Sequence, residues 1–181
     1  MYEVELKVET AHADVRTRLA ELGAKKLGTR TQTDTYYNAP DRDFAVTDEA
    51  LRVRRETEDG AHRVRLTYKG PLVDDETKTR KEAETDVDDA TAIASILDGL
   101  GYDAVATVEK ERERHRLGEC LVTLDTVSEL GEFVEIEYHQ PVSERELDAV
   151  RETVSETLDA LAIDGDTQIQ TSYLELVLAG Q

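Results

Sequence analysis

The chain has no tryptophan, two phenylalanines, three prolines and a single cysteine, Cys120. One cysteine excludes an intrachain disulfide and leaves no basis for a cysteine zinc site, so Cys120 reads as a small, partly buried residue. No apolar stretch reaches the roughly 18–20 residues of a membrane-spanning helix, and no cleavable leader is recognisable. The expectation is a cytoplasmic protein. A Walker-type phosphate loop is also missing, because Gly is nowhere followed by Lys. His12, His62, His115 and His139 have no metal-ligand spacing and read as surface or edge residues.

Positive charge is scarce. Lysine occurs at only seven positions, and the formal net charge is −19 over 181 residues. A polyanion would be repelled, which excludes generic nucleic-acid binding. Dense acidity with little lysine fits a cytosolic protein adapted to concentrated salt, where carboxylates keep the surface hydrated. Disorder is the other reading of such acidity. The strong apolar periodicity and the 39% hydrophobic content argue against it. Against this background Arg52, Arg54, Arg55, Arg63, Arg65 and Lys69 form a basic cluster that runs counter to the composition. A small, highly charged anion in an enclosed site accounts for it.

The charges are ordered by parity. Glu3, Glu5 and Lys7 alternate with Val4, Leu6 and Val8. Side chains on a strand point to opposite faces in turn, so this segment has one charged and one apolar face. An amphipathic edge strand with a solvated face would carry the same pattern, but other segments repeat it. Ala50-Leu51-Arg52-Val53-Arg54 and Arg63-Val64-Arg65-Leu66-Thr67-Tyr68-Lys69 alternate apolar and basic. Arg80, Glu82 and Glu84 share a parity, as do Lys110, Arg112, Arg114 and Arg116. Glu135 and Glu137 stand opposite Val134 and Ile136.

Strand-like runs fall near 2–9, 30–38, 50–57, 62–69, 79–87, 105–116, 119–127 and 132–139, punctuated by Gly60, Gly70, Gly118 and Gly131. Helical periodicity marks three helices. The first covers about 11–22 with Thr10 as N-cap. A second spans about 88–101 and buries Ile93, Ile96, Leu97 and Leu100, and the third spans 143–161 behind a Ser143–Glu146 capping box. No linker or repeat divides residues 1–181, so a single domain is expected. The fold class is α+β. An open sheet could leave its charged face to solvent, whereas a closed or nearly closed antiparallel eight-stranded barrel would turn that face into a wet tunnel, with the helices packed outside. Segregated acidic and basic rows favour the barrel, because a tunnel can hold a polyphosphate between basic walls and a cation-holding acidic wall.

These motifs, taken in order, resemble the CYTH family of triphosphate-tunnel enzymes, which includes class IV adenylate cyclases and thiamine triphosphatases. The resemblance rests on Glu3-x-Glu5-x-Lys7, Gln32 to Tyr37, Phe44 to Arg54 as the basic third strand, Leu66 to Pro71, and Arg80-x-Glu82-x-Glu84. It continues through Lys110-x-Arg112, Asp125, Glu135-x-Glu137 and Ser172-Tyr173. It spans nearly the whole chain and is nearest to the class IV cyclases.

The resemblance implies Mg²⁺ or Mn²⁺ on Glu3, Glu5, Glu135 and Glu137, the oxygen donors that hard cations take. It implies a triphosphate (ATP, thiamine triphosphate or tripolyphosphate) bound by Arg52, Arg54, Arg65, Lys69, Lys110 and Arg112, with Lys7, Lys110 and Arg112 as catalytic residues. Lys7 either contacts phosphate or restrains the two N-terminal glutamates. The leading reaction is conversion of ATP to cAMP and pyrophosphate. A thiamine, nucleoside or inorganic triphosphatase is the enzymatic alternative, and a polyphosphate- or nucleotide-binding module the non-enzymatic one. Neither a nucleic-acid polymer nor a membrane is an expected partner, and a homodimer is left open. Arg114 and Arg116 read as partners of surface acids. Tyr36, Tyr37, Tyr68 and Tyr138 read as strand packing, and Tyr173 as either tunnel mouth or C-terminal packing.

Overall fold

The computed structural model describes residues 2–72, 80–140, 142–165, 168–169 and 171–180, and there the alternating strands form one antiparallel sheet. Its strands are β1 (Tyr2–Glu3), β2 (Glu5–Glu9), β3 (Lys25–Asn38), β4 (Ala50–Glu58) and β5 (Ala61–Leu72), followed by β6 (Arg80–Val87), β7 (Asp103–Leu117), β8 (Cys120–Val127) and β9 (Gly131–Tyr138). The spatial order is β1-β6-β5-β4-β3-β7-β8-β9-β2. β1 and β2 thus lie at opposite edges, yet only Val4 separates them in the chain. Glu3 pairs with Arg80 on β6, and Glu5 and Lys7 pair with Glu137 and Glu135 on β9. The N-terminal run therefore joins the two edges and all but closes the sheet into a barrel, which removes the exposed edges that invite association. The Tyr138 amide donates to the Val4 carbonyl at 3.1 Å beside this junction.

All eight expected runs are strands, and the division of the first at Val4 brings the count to nine. Residue 79 of the expected 79–87 run lies outside the described residues. β3 starts at Lys25, earlier than expected, because the whole of 25–38 pairs with β7.

With the charged rows turned inward, the apolar rows face out and need cover. α1 (His12–Glu21) and α4 (Leu147–Ala160) supply it over β2, β8 and β9. There Leu6, Val122 and Ile136 meet Val15, Leu19 and Val154 in the main core. α4 follows a 3-10 turn at Glu144–Glu146 that carries the expected Ser143–Glu146 capping box. The N-cap of α1 is Ala11, not Thr10, and it makes no side-chain cap bond. α1 also buries His12, whose Nε2 lies 3.0 Å from the Phe133 carbonyl oxygen, and His115 is buried beside Glu113. Two of the four histidines are therefore not surface residues.

α3 (Ala90–Gly99) lies within the expected span but buries less than its apolar content implied. Only Leu97 of the four apolar positions is fully buried, while Ile96 and Leu100 are exposed. Among the described residues the helix packs on the small cluster of Tyr37 and Val53, which Leu97 and the half-buried Ile93 meet. Its start is fixed by Asp89, whose carboxylate accepts from the Thr91 and Ala92 amides at 2.7 and 3.1 Å. Asp89→Ala is expected to cost about 1 kcal/mol of stability, as N-cap losses do. A urea midpoint equal to the parent's would show the cap to be redundant.

Two further helices escaped the periodicity reading. α2 (Phe44–Thr47) replaces the first part of the expected Phe44–Arg54 strand. Asp43 accepts from the Ala45 amide at 3.0 Å and Asn38 from the Phe44 amide at 2.8 Å, which starts a helical turn before β4 begins. α5 (Tyr173–Ala179) is opened by a Ser172–Glu175 capping box. Among the described residues no helix is long and apolar enough to cross a membrane.

α5 has a defined seat. Along the inward parity, charge gives way to apolar side chains at one end of the barrel. Tyr36 follows Asp34, Val108 precedes Lys110, Val127 follows Asp125 and Phe133 precedes Glu135. These four residues and Tyr173 form a buried cluster, with Leu174 and Val177 of α5 packed against it.

Candidate active site

The barrel encloses a cavity of about 370 Å³, within the range of small-molecule sites. Its lining divides into two arcs. Glu3, Glu5, Glu82 and Glu137 come from β1, β2, β6 and β9, which are neighbours around the barrel. Arg52, Arg54, Lys110 and Arg112 come from β4 and β7, which flank β3 on the opposite arc.

The basic arc is organised around two buried carboxylates. Arg54 grips Asp34 with both ends of its guanidinium, Nε to Oδ1 at 2.6 Å and Nη2 to Oδ2 at 2.7 Å. Arg52 and Lys110 stand 3.8 and 3.7 Å from the same Oδ2. Burial opposes ionisation of Asp34, but Arg54, with Arg52 and Lys110 behind it, holds the carboxyl well below the usual carboxylate range. Two guanidiniums and the Lys110 amine thus crowd one anion, and the Arg52 Nε is buried without a hydrogen-bond partner among the described residues. Around the barrel, Arg112 makes the same fork onto Asp125 (Nε to Oδ1 2.7 Å) and also donates to Glu135. Burial, then the Arg112 and Arg54 charges, lower Lys110 to about 7. A binding anion would relieve that strain.

The acidic arc is strained in the opposite sense. Burial, then the Glu3 and Glu5 carboxylates, push Glu137 up to about 8. Burial likewise raises Glu3, partly offset by Lys69. Lys69 sits between Glu3 and Glu82 (3.1 Å), and these acids, with Glu5, outweigh its burial and raise its pKa.

The structure brings the site residues read from the sequence into one cavity but divides them. Arg52, Arg54, Lys110 and Arg112 form the basic arc, whereas Lys69 lies among the carboxylates. Arg65 lines the cavity apart from both, tied to Glu84 and Asp86 at 2.9 and 3.1 Å. Lys7 contacts Glu135 at 3.4 Å and donates to the Thr171 carbonyl at 3.4 Å, away from Glu3. Arg114 is not a surface residue: it lines the cavity and pairs with Glu58, because its strand continues inward-facing past Arg112.

An oxygen-loving dication suits Glu3, Glu5 and Glu137, whose mutual repulsion it would relieve. Glu135 suits it less, being already engaged by Arg112 and Lys7. Among the described residues no three such side chains converge into a preformed cage. Mg²⁺ does not require one, since it keeps waters and bridges one or two carboxylates to substrate phosphates.

Asp34, Asp125 and Glu82 belong to this site without having been assigned a role from sequence, and Tyr173, read as either tunnel mouth or C-terminal packing, lines the cavity while packing in the cluster at its end. The two aspartates share the inward parity of their strands, which was the available signal. Tyr173 was marked only by the Ser172-Tyr173 resemblance, which did not decide between its two readings.

A nearly closed antiparallel barrel with an acidic and a basic arc around one cavity is the tunnel architecture expected from the sequence. The CYTH domain model matches residues 1–173, and the chain belongs to the CYTH family. It is 41% identical over 178 residues to MJ0240 of Methanocaldococcus jannaschii, named a candidate adenylate cyclase, covering 97% of this chain and 98% of that one. It is 31% identical over 138 residues to adenylate cyclase CyaB of Aeromonas hydrophila, covering 75% and 68%. The PH1819 protein from Pyrococcus horikoshii OT3 superposes with a TM-score of 0.91 at 35% identity over 99% of both chains. A candidate adenylyl cyclase from Hippeastrum, described as having a dominant triphosphatase activity, shares the fold with a TM-score of 0.70 at 17% identity over 99% and 96%.

Proposed function

We propose that this protein is a metal-dependent enzyme that acts on a triphosphate inside the barrel, and that its leading reaction is conversion of ATP to cAMP and pyrophosphate. The observation that carries the reading is the pairing of an anion-deficient arc with a cation-deficient arc across one enclosed cavity. Arg54, Arg52 and Lys110 crowd around the single carboxylate of Asp34, and burial, then the Glu3 and Glu5 carboxylates, hold Glu137 towards its neutral form. A triphosphate with Mg²⁺ or Mn²⁺ satisfies both at once. The cyclase name of the more similar relatives gives ATP the first place.

On this reading Arg52, Arg54, Lys110 and Arg112 take the phosphate oxygens through charge-assisted bonds, Arg54 and Arg112 with the N–H groups that their forks onto Asp34 and Asp125 leave over. Asp34 and Asp125 fix those guanidiniums before substrate arrives, so little reorganisation is left for the transition state. Glu3, Glu5 and Glu137 would hold the dication, which supplies Lewis-acid neutralisation of phosphoryl charge when bound. Cyclisation requires the ribose 3′-hydroxyl in line with the α-phosphorus, and hydrolysis requires a water in line with the terminal one. Both depend on positioning and charge neutralisation more than on a special nucleophile.

The triphosphatase reading uses the same residues, and the Hippeastrum protein gives it weight. One experiment separates them. The protein is incubated in concentrated KCl with Mg²⁺ or Mn²⁺ and ATP, thiamine triphosphate or tripolyphosphate, and the products are resolved. Cyclic AMP with pyrophosphate is expected. Orthophosphate with a diphosphate would replace the cyclase by the triphosphatase. No turnover of any of the three would overturn the enzymatic reading.

A further inference from the structure

Tyr173 is the first residue of α5, yet its contacts lie in the barrel. Its ring centroid is 3.7 Å from Lys7 Nζ and 4.9 Å from Lys110 Nζ. Its hydroxyl donates to Asp125 Oδ2 at 2.9 Å, the carboxylate that receives the Arg112 fork. Phe133 packs against the ring nearly edge-on, with centroids 5.1 Å apart, and fixes its plane. One side chain therefore touches both lysines read as catalytic and the acid that aligns the arginine between them. Burial, then Glu135 and Asp125, hold the phenol well above its usual pKa, so it remains a donor.

Two ammonium groups facing one buried ring is an unusual arrangement. Like charges repel, and the aromatic face offers both an electrostatic partner that does not use up their hydrogen bonds. A further acid in the ring's place, beside Glu135 and Asp34, would compete with phosphate for the lysines. The ring holds them without taking a hydrogen bond from either, so among the described residues the N–H groups already committed are those that Lys7 turns to Glu135 and Thr171 and that Lys110 turns to Asp34.

We propose that Tyr173 is a positioning residue of the triphosphate site, its ring setting the Lys7 and Lys110 ammoniums and its hydroxyl setting Asp125 beneath Arg112. This rests on the triphosphate reading given above. It makes the docked C-terminal helix part of the binding machinery. It also explains why the inward rows of β3, β7, β8 and β9 turn apolar beside the charges: Tyr36, Val108, Val127 and Phe133 form the seat for this one side chain.

The test compares Tyr173→Phe, which keeps the ring and loses the hydroxyl, with Tyr173→Leu, which keeps apolar bulk and loses both. Tripolyphosphate binding without metal is measured by calorimetry, and folding is checked by thermal melts. Tyr173→Phe is expected to weaken binding about threefold and Tyr173→Leu about twentyfold, the size of two lost cation–π contacts. In a double-mutant cycle, Lys110→Met should cost much less on the Tyr173→Leu background than on the parent, because the two share one interaction. Packing alone would make Phe and Leu equivalent, in step with their melting temperatures, and additive with Lys110→Met. That result overturns the proposal. A parent that does not bind tripolyphosphate overturns the triphosphate reading and this inference with it, whereas a binding parent with indifferent Tyr173 variants overturns this inference alone.

Discussion

Glu137→Gln is expected to abolish metal-dependent turnover while making the metal-free protein more stable at alkaline pH. The two effects share a cause. Glu137 stands in the acidic arc, where burial and then Glu3 and Glu5 raise its pKa from 4.5 to about 8. Between those values the unfolded chain has released its proton and the folded chain retains it. Stability from this group is therefore full below about 4.5, declines as pH rises, and is lost by about 8. Gln has no proton to release, so the variant's advantage should be absent near pH 4 and complete above pH 8. It should amount to something on the order of 2 kcal/mol, since Glu3 and Glu5 relax when their neighbour is neutral. A dication neutralises the same repulsion in the parent, which is why the position would be kept acidic despite its cost. Losing a direct ligand should exceed the roughly 10–100-fold penalty of losing an outer-shell partner. Melts in EDTA at pH 5 and pH 8.5, with Mn²⁺ titration of both proteins, check the prediction. Equal pH dependence, or a variant that binds Mn²⁺ and turns over like the parent, would remove Glu137 from the metal site.

Strand parity made most of the barrel legible. It placed Glu3, Glu5, Arg52, Arg54, Lys110, Arg112 and Glu137 on the inward face, because a two-residue period survives whatever the strand packs against. It did not show that Val4 divides the first strand, since that depends on which two edges the run must join. It also gave Lys69 the same role as Arg54. Only the register shows that Lys69 pairs with Ala50 and Glu82, on the side nearer the acids, while Arg54 faces Asp34. Helix periodicity located α1, α3 and α4 but overestimated the burial of α3, because an apolar face says nothing about how much surface exists to receive it. α2 and α5, of four and seven residues, are too short for periodicity to detect. Tyr173 owes its role entirely to tertiary packing, as a C-terminal side chain seated among residues from β3, β7, β8 and β9.

The basic arc should prefer a triphosphate to a monophosphate by at least about a hundredfold, and binding above pH 7 should take up a proton. A chain of three phosphates can reach Arg52, Arg54, Lys110 and Arg112 together, while a monophosphate reaches one or two of them. Charge-assisted hydrogen bonds contribute about 1.5–3 kcal/mol each, so each lost partner costs roughly 10–100-fold in affinity. Arg52→Met and Lys110→Met are the informative variants, because Arg54 still satisfies Asp34 in both and neither leaves that carboxylate bare. The proton comes from Lys110. Its pKa in the free protein is about 7, so at pH 8 most molecules carry it neutral. A bound polyanion favours the ammonium, and affinity should fall as pH rises through 7 and beyond while staying level below about 6. The phosphates titrate in a similar range, but their contribution is common to parent and variant and cancels in the comparison. Calorimetry with ATP, tripolyphosphate and AMP, run at pH 8 in buffers of different ionisation enthalpy, measures affinity and proton uptake together. Lys110→Met should lose both the affinity and the extra proton, whereas Arg52→Met should lose affinity alone. Concentrated KCl should weaken binding little, since an enclosed site is screened far less than exposed pairs. AMP binding as tightly as ATP, or identical proton uptake in the parent and Lys110→Met, would show that the arc serves the barrel's stability and not a ligand.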